Sequence, residues 1–113
     1  MDTGLALDAL RALGQAHRLA AFRALVEAGP AGLAVGALRE RLDLPAATLT
    51  AHLNTLRAAG LAVDEREGRV IRVRADFTRM NALIAYLTEN CCAGAGCVDA
   101  SCAPSSPADC RSC

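Results

Sequence analysis

Hydrophobic residues recur at the spacing of an amphipathic helix in four stretches of the first sixty residues. Apolar positions three and four residues apart share one side of a helix, so each stretch is predicted to bury one face. Glycine and proline lie between several of the stretches and favour turns there. The predicted helices cover residues 5–13, 17–28, 35–42 and 45–59. This half of the chain is therefore predicted to be mostly helical.

After the fourth helix the pattern changes from the helical period to alternation. This alternation predicts two strands, at residues 61–65 and 70–75. Glu67 and Gly68 fit the tip of a hairpin, because glycine readily adopts the positive φ of a tight turn. Helical spacing returns over residues 77–90. The chain is thus predicted to be mostly α-helical, with four helices, a two-stranded β hairpin and a fifth helix.

The fourth predicted helix has two contrasting faces. Leucines at positions 49, 53 and 56 form an apolar stripe, while Pro45 suits a first helical turn and Gly60 suits a helix end. The opposite face is short and uncharged, and it carries Ala47, Thr50, Ala51 and Asn54. Such a face fits the major groove of DNA, where short side chains reach base edges and thymine methyl groups. The alternative is an ordinary amphipathic helix with a solvated, alanine-rich face.

The elements around this helix favour the groove-binding interpretation. A brief link at 43–45 joins the third and fourth helices, which is the helix-turn-helix pattern. The following hairpin carries Arg66 and Arg69 beside its tip, as in a wing that contacts phosphates or the minor groove. A solvated hairpin whose charges prevent edge aggregation is the alternative. Residues 1–90 are predicted to form a winged helix-turn-helix domain for DNA binding and dimerisation.

Composition narrows the remaining possibilities. The 113 residues support one domain, the net charge is zero, and aromatic residues make up only 3% of the chain. A core with few aromatic residues buries little area, which favours a homodimer. No stretch has transmembrane length or a signal-peptide layout, so we expect a cytoplasmic protein without membrane contact. The sequence offers no phosphate-binding loop, acid–base pair or nucleophile motif, and it predicts neither an enzyme nor an organic cofactor.

All six cysteines lie in residues 91–113, a segment otherwise rich in glycine, alanine, serine and proline. Such a composition does not build a packed core, so this segment is predicted to be a flexible tail. Thiolates prefer soft metals and metalloids, and trivalent arsenic takes three sulfurs in a pyramid. Cys91 and Cys92 supply two sulfurs, and the small residues that follow allow Cys97 to fold back as the third.

The other three cysteines are accessory candidates: Cys102, Cys110 and Cys113. They fit a second soft site, a reserve of thiols, or part of a zinc site, since the last two have C-x-x-C spacing. A tail of redox-labile thiols is the alternative for all six. His17 and His52 are more simply explained as structural histidines than as metal ligands.

Two segments carry a resemblance to a known family. LGQAHRLAAFRALVEAG and LRERLDLPAATLTAHLNTLRAAGLAVDEREGRVIRVRAD resemble the ArsR/SmtB winged-helix repressors, over residues 5–90. The resemblance implies a homodimer that binds a palindromic operator of double-stranded DNA and dissociates when an inducer binds. The third helix lacks the Cys-x-Cys of many arsenic sensors in that family. LTENCCAGAGC is instead similar to a subgroup that senses trivalent arsenic at the end of its last helix.

The resemblance also assigns roles to residues. Recognition-helix positions fall on Thr48, Thr50, Ala51 and Asn54, and wing positions fall on Arg66 and Arg69. We expect Thr50 and Asn54 to contact base edges and Ala47 and Ala51 to contact thymine methyl groups. The expected phosphate contacts are Arg57, Arg66 and Arg69.

The predicted function is a repressor released by As(III), with Sb(III) or a methylated As(III) species as alternative inducers. A winged-helix regulator switched by thiol oxidation is a second possibility. A repressor that responds to Zn or Cd is a third, and a metal-storage or interaction protein on the same fold is a fourth.

Overall fold

The computed structural model describes residues 1–89, which fold as five α-helices around a small antiparallel sheet. In chain order the elements are α1 (Thr3–Leu13), α2 (Ala16–Ala28), a 3₁₀ turn (Gly29–Ala31), β1 (Leu33–Ala34), α3 (Val35–Leu42), α4 (Ala46–Ala58), β2 (Ala62–Glu67), β3 (Val70–Ala75) and α5 (Phe77–Leu87). The predicted succession of four helices, a hairpin and a fifth helix is confirmed.

Element ends differ from the sequence-based bounds by at most three residues, and α3 and β3 agree with their predicted bounds at both ends. Pro45 has an extended conformation (φ −60°, ψ 149°) and precedes α4 as its cap, so its placement inside the first turn is wrong. Gly60 has φ +79° and follows α4, as predicted. The last helix ends at Leu87 rather than at residue 90, and the next residue, Thr88, caps it. The Thr88 hydroxyl donates to the Ile84 carbonyl at 2.9 Å.

The sheet has one strand more than the sequence predicts. β2 and β3 form the expected hairpin, with Gly68 at φ +61° in its turn. The two residues of β1 pair with the other edge of β3, Leu33 opposite Val73. Gly32 has φ +69°, and a Cβ at this position would overlap the Val73 carbonyl oxygen. Glycine therefore allows the backbone to approach β3 closely enough for β1 to pair.

The core lies between α2, α3, α4 and the sheet. Its fully buried large side chains are Leu25, Leu38, Leu49, Leu53, Leu56, Leu61 and Val73. Within residues 1–89 no polar or charged side chain is buried. The leucine stripe of α4 is confirmed as its inner face, which leaves the opposite face outward.

α1 meets this core through alanines instead of leucines. Ala6, Ala9 and Ala12 are almost fully buried, because small side chains let α1 approach its neighbours closely. The leucines of the same helix point outward, and Leu5, Leu7 and Leu10 are 40%, 42% and 40% exposed. On α5 Ile84 and Leu87 are likewise exposed. None of the helices within residues 1–89 combines the length and the apolar character that a membrane span requires.

Candidate nucleic-acid interface

The turn between α3 and α4 fixes the direction of the outward helix. Asp43 is left-handed (φ 53°), and its backbone N–H donates to the Arg39 carbonyl at 2.8 Å. The Nε of Arg39 donates to the Leu44 carbonyl at 3.3 Å. Leu38 and Leu49 are buried on either side of this turn. Local hydrogen bonds and core packing together hold the two helices as a helix-turn-helix.

From Ala47 to Asn54 the outward face of α4 carries short, uncharged side chains. The predicted base-contacting residues are all exposed: Ala47, Thr50, Ala51 and Asn54. Thr48 is half-buried and therefore presents less surface than its neighbours. A face of this kind can approach base edges without a long side chain in the way. The contacts of each residue with DNA stay predictions.

A polar link connects the outward face of α4 to the wing. The Nη1 of Arg57 donates to Asn54 Oδ1 at 2.8 Å, and its Nε donates to Asp64 Oδ1 at 2.9 Å. Asp64 lies on β2, so the link crosses from helix to hairpin. The sequence predicts a phosphate contact for Arg57 and no role for Asp64. Two hydrogen bonds within the chain already engage the Arg57 guanidinium.

The arginines of the hairpin fall into two groups. Arg66 and Arg69 are exposed beside the tip, and within the described part of the chain neither forms a salt bridge. Arg72 donates to two backbone carbonyls just before β1 and so ties β3 to that segment. The Nε of Arg74 lies 3.6 Å from Oε1 of Glu65 on the neighbouring strand. The tip arginines are therefore the ones placed for contact with a polyanion.

A cleft of about 660 Å³ separates α4 from the wing. Its lining includes Thr50, Leu53, Arg57, Asp64, Arg69 and Ile71. Thr50 from α4 and Arg69 from the wing line the same cleft. The two elements predicted to contact DNA therefore lie on the same side of the molecule.

The two histidines meet between α2 and α4. Their ring centroids are 5.8 Å apart and their planes are tilted by 60°. Burial lowers the pKa of His52 below its usual value of 6.5, and the positive charges of Arg18 and then His17 lower the pKa further. Among residues 1–89 no three His, Cys, Asp or Glu side chains come together as a metal site. This arrangement agrees with a structural role for both histidines.

The cysteines predicted to bind a metalloid lie outside the described residues. They are Cys91, Cys92 and Cys97, with Cys102, Cys110 and Cys113 as accessory candidates. In sequence, Cys91 is the fourth residue after Leu87, the last residue of α5.

Known proteins share this architecture. A helix-turn-helix domain family matches residues 13–66. An ArsR-like transcriptional regulator from Rhodococcus sp. RHA1 is 30% identical, with a TM-score of 0.66 over 80% of this chain and 82% of that one. HlyU from Vibrio cholerae is 28% identical, with a TM-score of 0.61 over 81% of this chain and 99% of that one. No curated protein matches the chain.

A more distant structure supports the fold alone. It is the homodimeric winged helix-turn-helix DNA-binding domain of a possible ArsR-family regulator from Mycobacterium bovis, 22% identical, with a TM-score of 0.61 over 85% of this chain and 89% of that one. The family match is to a helix-turn-helix domain and the 30% identical relative is a transcriptional regulator, so the prediction that this chain is not an enzyme is confirmed.

Proposed function

The chain belongs to the ArsR family of DNA-binding, winged helix-turn-helix transcriptional regulators, and we propose that it is a repressor released from its operator by trivalent arsenic. The observation that carries this proposal is the position of its cysteines. All six follow the last helix of the domain, and three of them, Cys91, Cys92 and Cys97, lie within seven residues.

The exposed apolar faces of α1 and α5 support a homodimer. Leucines of α1 and the Ile84–Leu87 end of α5 leave large apolar side chains in contact with water. Burying such side chains against a second copy is favourable by roughly 25 cal/mol per Å² of apolar surface. The related domain from Mycobacterium bovis is described as homodimeric. In our proposal, α1 and α5 of two copies pack across a two-fold axis.

Such a dimer presents two copies of α4 to one side of a duplex. Two-fold related recognition helices enter successive major grooves about 34 Å apart, so the operator is a palindrome or near-palindrome. Thr50 and Asn54 approach base edges, and Arg66 and Arg69 approach phosphates. Phosphate contacts make binding strongly dependent on salt, with a slope of about −0.9 for each phosphate neutralised.

In the proposed reaction, cysteine sulfurs replace the hydroxyl groups of arsenous acid. Arsenous acid and three thiols form three As–S bonds and release three water molecules, with no change of oxidation state. In our proposal, bonds from one arsenic to Cys91, Cys92 and Cys97 close a small loop in the chain that follows α5 and so restrain the end of that helix. Because α5 belongs to the proposed dimer interface, this change alters the angle between the two copies of α4 that contact DNA. Allosteric coupling of this kind is typically about 1–3 kcal/mol per ligand.

The test is release from DNA measured by fluorescence anisotropy. A labelled duplex is first selected from a random library with the full chain, and arsenite is then added to the complex. We expect release from the parent and no release from the Cys91→Ser/Cys92→Ser double variant, which still binds DNA. Cys102→Ser is the matched control and keeps the response. A double variant that is released like the parent refutes the site.

Other inducers and mechanisms give distinct outcomes in the same assay. Release by antimonite or a methylated arsenical at lower concentration identifies a different metalloid as inducer. Release by Zn²⁺ or Cd²⁺ but not by arsenite contradicts the proposal and favours a metal-ion sensor. Release by peroxide without any metalloid, reversed by a thiol reductant, favours a redox switch.

A further inference from the structure

We propose that Arg57 and Asp64 are positioning residues that make Asn54 a hydrogen-bond donor toward DNA, so that the base facing Asn54 is guanine or thymine. This inference rests on the proposed function only in that α4 must bind an operator. It does not depend on arsenite or on any cysteine. At one position of each operator half-site, the inference therefore limits the base to guanine or thymine.

The chemistry of Arg57 decides which way the Asn54 amide faces. A guanidinium carries five N–H donors and no acceptor, so the asparagine atom that meets it must be the oxygen. Nη1 of Arg57 lies 2.8 Å from Asn54 Oδ1. The amide group then turns its NH₂ away from Arg57, and Asn54 is exposed on the outward face of α4.

Asp64 holds Arg57 in place for this task. Its Oδ1 accepts from Arg57 Nε at 2.9 Å, and the Arg57 side chain is only 27% exposed. A carboxylate at this distance offsets the guanidinium charge, which weakens the attraction of Arg57 for a phosphate. Among residues 1–89, Arg66 and Arg69 beside the tip of the wing have no carboxylate partner. Arg57 is therefore better placed to orient Asn54 than to neutralise DNA.

A donor distinguishes among base edges in the major groove. Guanine offers the acceptors N7 and O6, and thymine offers O4, whereas cytosine offers a donor and adenine offers one donor beside one acceptor. The familiar asparagine–adenine pair needs Oδ1 to accept from the adenine amino group while the NH₂ donates to N7. Here Oδ1 already accepts from Arg57, so an adenine amino group would have to share this oxygen with the guanidinium and approach its positive charge. Guanine and thymine avoid that conflict.

The first experiment measures base preference without arsenite. Each base pair of the selected operator is replaced in turn by each of the other base pairs. Fluorescence anisotropy then gives the affinity of the parent and of Asn54→Ala for every duplex. The position at which Asn54→Ala loses discrimination is the one that Asn54 faces. We expect the parent to prefer guanine or thymine there by about tenfold, from the usual strength of a base contact. A preference for adenine or cytosine, or no position of this kind, overturns the inference.

The second experiment separates positioning from charge. Asp64→Asn is expected to relax base preference at that position and to steepen the salt slope by about one, because Arg57 becomes available to a phosphate. Arg57→Ala is expected to lose base preference with no change in slope. The matched control, Arg66→Gln, is expected to lower the slope by about one and keep the preference. An Arg57→Ala variant that behaves like Arg66→Gln shows that Arg57 contacts a phosphate and refutes the inference.

A third measurement needs no DNA. The Arg57 Nε–H resonance in the free, full chain is expected to shift on Asp64→Asn, and the Asn54 side-chain NH₂ resonances are expected to shift on Arg57→Ala. Unchanged resonances in folded variants contradict the link. None of these three experiments uses arsenite. If arsenite fails to release the parent from DNA, the proposed inducer is wrong, but the three results still test the roles of Arg57 and Asp64.

Discussion

The Thr3 hydroxyl and the Tyr86 hydroxyl lie 2.6 Å apart and form a hydrogen bond between α1 and α5. These residues are 83 positions apart in sequence and come from the first and last helices of the domain. The bond fixes the relation between the two helices that carry most of the exposed large apolar side chains. It therefore helps to shape the surface proposed for dimerisation.

Removing this hydrogen bond is expected to loosen α5 modestly. Tyr86→Phe deletes one hydroxyl and leaves the ring, so the free energy of unfolding should fall by about 0.5–1 kcal/mol, at the low end because the bond is exposed. Urea denaturation followed by circular dichroism measures the loss. Thr3→Val is the partner variant, and the double variant should lose little more than either single one. Additive losses would show that the two hydroxyls act independently.

Charges on the exposed end of α5 are expected to separate the dimer without unfolding the chain. Ile84 is 53% exposed and Leu87 is 57% exposed, so replacing both with glutamate removes little core packing. In the proposed dimer the same change buries unpaired charges, which is strongly unfavourable. Sedimentation velocity should show a monomer with native helical content. The control Val70→Glu, 46% exposed on the wing, should remain dimeric. A dimeric double variant would exclude this part of α5 from the interface.

Gly32 is expected to be far less tolerant of substitution than another glycine with positive φ. Gly32→Ala combines the strain of φ +69° with overlap on the Val73 carbonyl oxygen, so it should cost more than the roughly 1–2 kcal/mol of the left-handed conformation alone. Gly68→Ala is the control, because φ is +61° there but no atom of residues 1–89 lies within 4 Å of the added Cβ. Thermal denaturation compares the two. Equal losses would mean that the approach of β1 to β3 does not matter for stability.

His52 is expected to make stability fall as the solution becomes acidic. Burial, Arg18 and His17 lower the pKa of His52 in the folded chain, so the unfolded chain binds the proton more tightly. Above pH 6.5 the imidazole is mostly neutral in both states, and its contribution to stability is lost as pH falls from there through the lower folded pKa. Urea denaturation at several pH values in this window measures the loss for the parent. His52→Gln should flatten the curve, and parallel curves for parent and variant would contradict the shift.

The positions of the helices followed from the sequence because their apolar residues repeat at the helical period. The orientation of α1 could not be predicted from the sequence, because both of its faces are apolar. Leucines are larger and invite an inward placement, yet Ala6, Ala9 and Ala12 face the core and the leucines face water. Close approach between helices decides this choice, and it depends on the shape of α2 and α4 rather than on the pattern within α1.

The outward face of α4 was predictable, but its link to the wing was not. Asn54 and Arg57 share a helix, so their proximity follows from the i, i+3 spacing. Asp64 reaches them only because the chain reverses at Gly60 and β2 runs back beside α4. The two-residue strand β1 was missed for a similar reason: Leu33 and Ala34 are too few to show alternation and pair only because β3 has a free edge.

In the proposed mechanism, sulfur ligation after α5 controls DNA binding, and a titration of the operator complex with arsenite tests this control. Arsenite is added stepwise to the operator complex of the full chain while anisotropy reports bound DNA and a thiol reagent reports the free cysteines in parallel samples. Release is expected to be complete when one arsenite is bound per chain and three thiols have been consumed, those of Cys91, Cys92 and Cys97. Operator binding that persists unchanged after those thiols are consumed would contradict it.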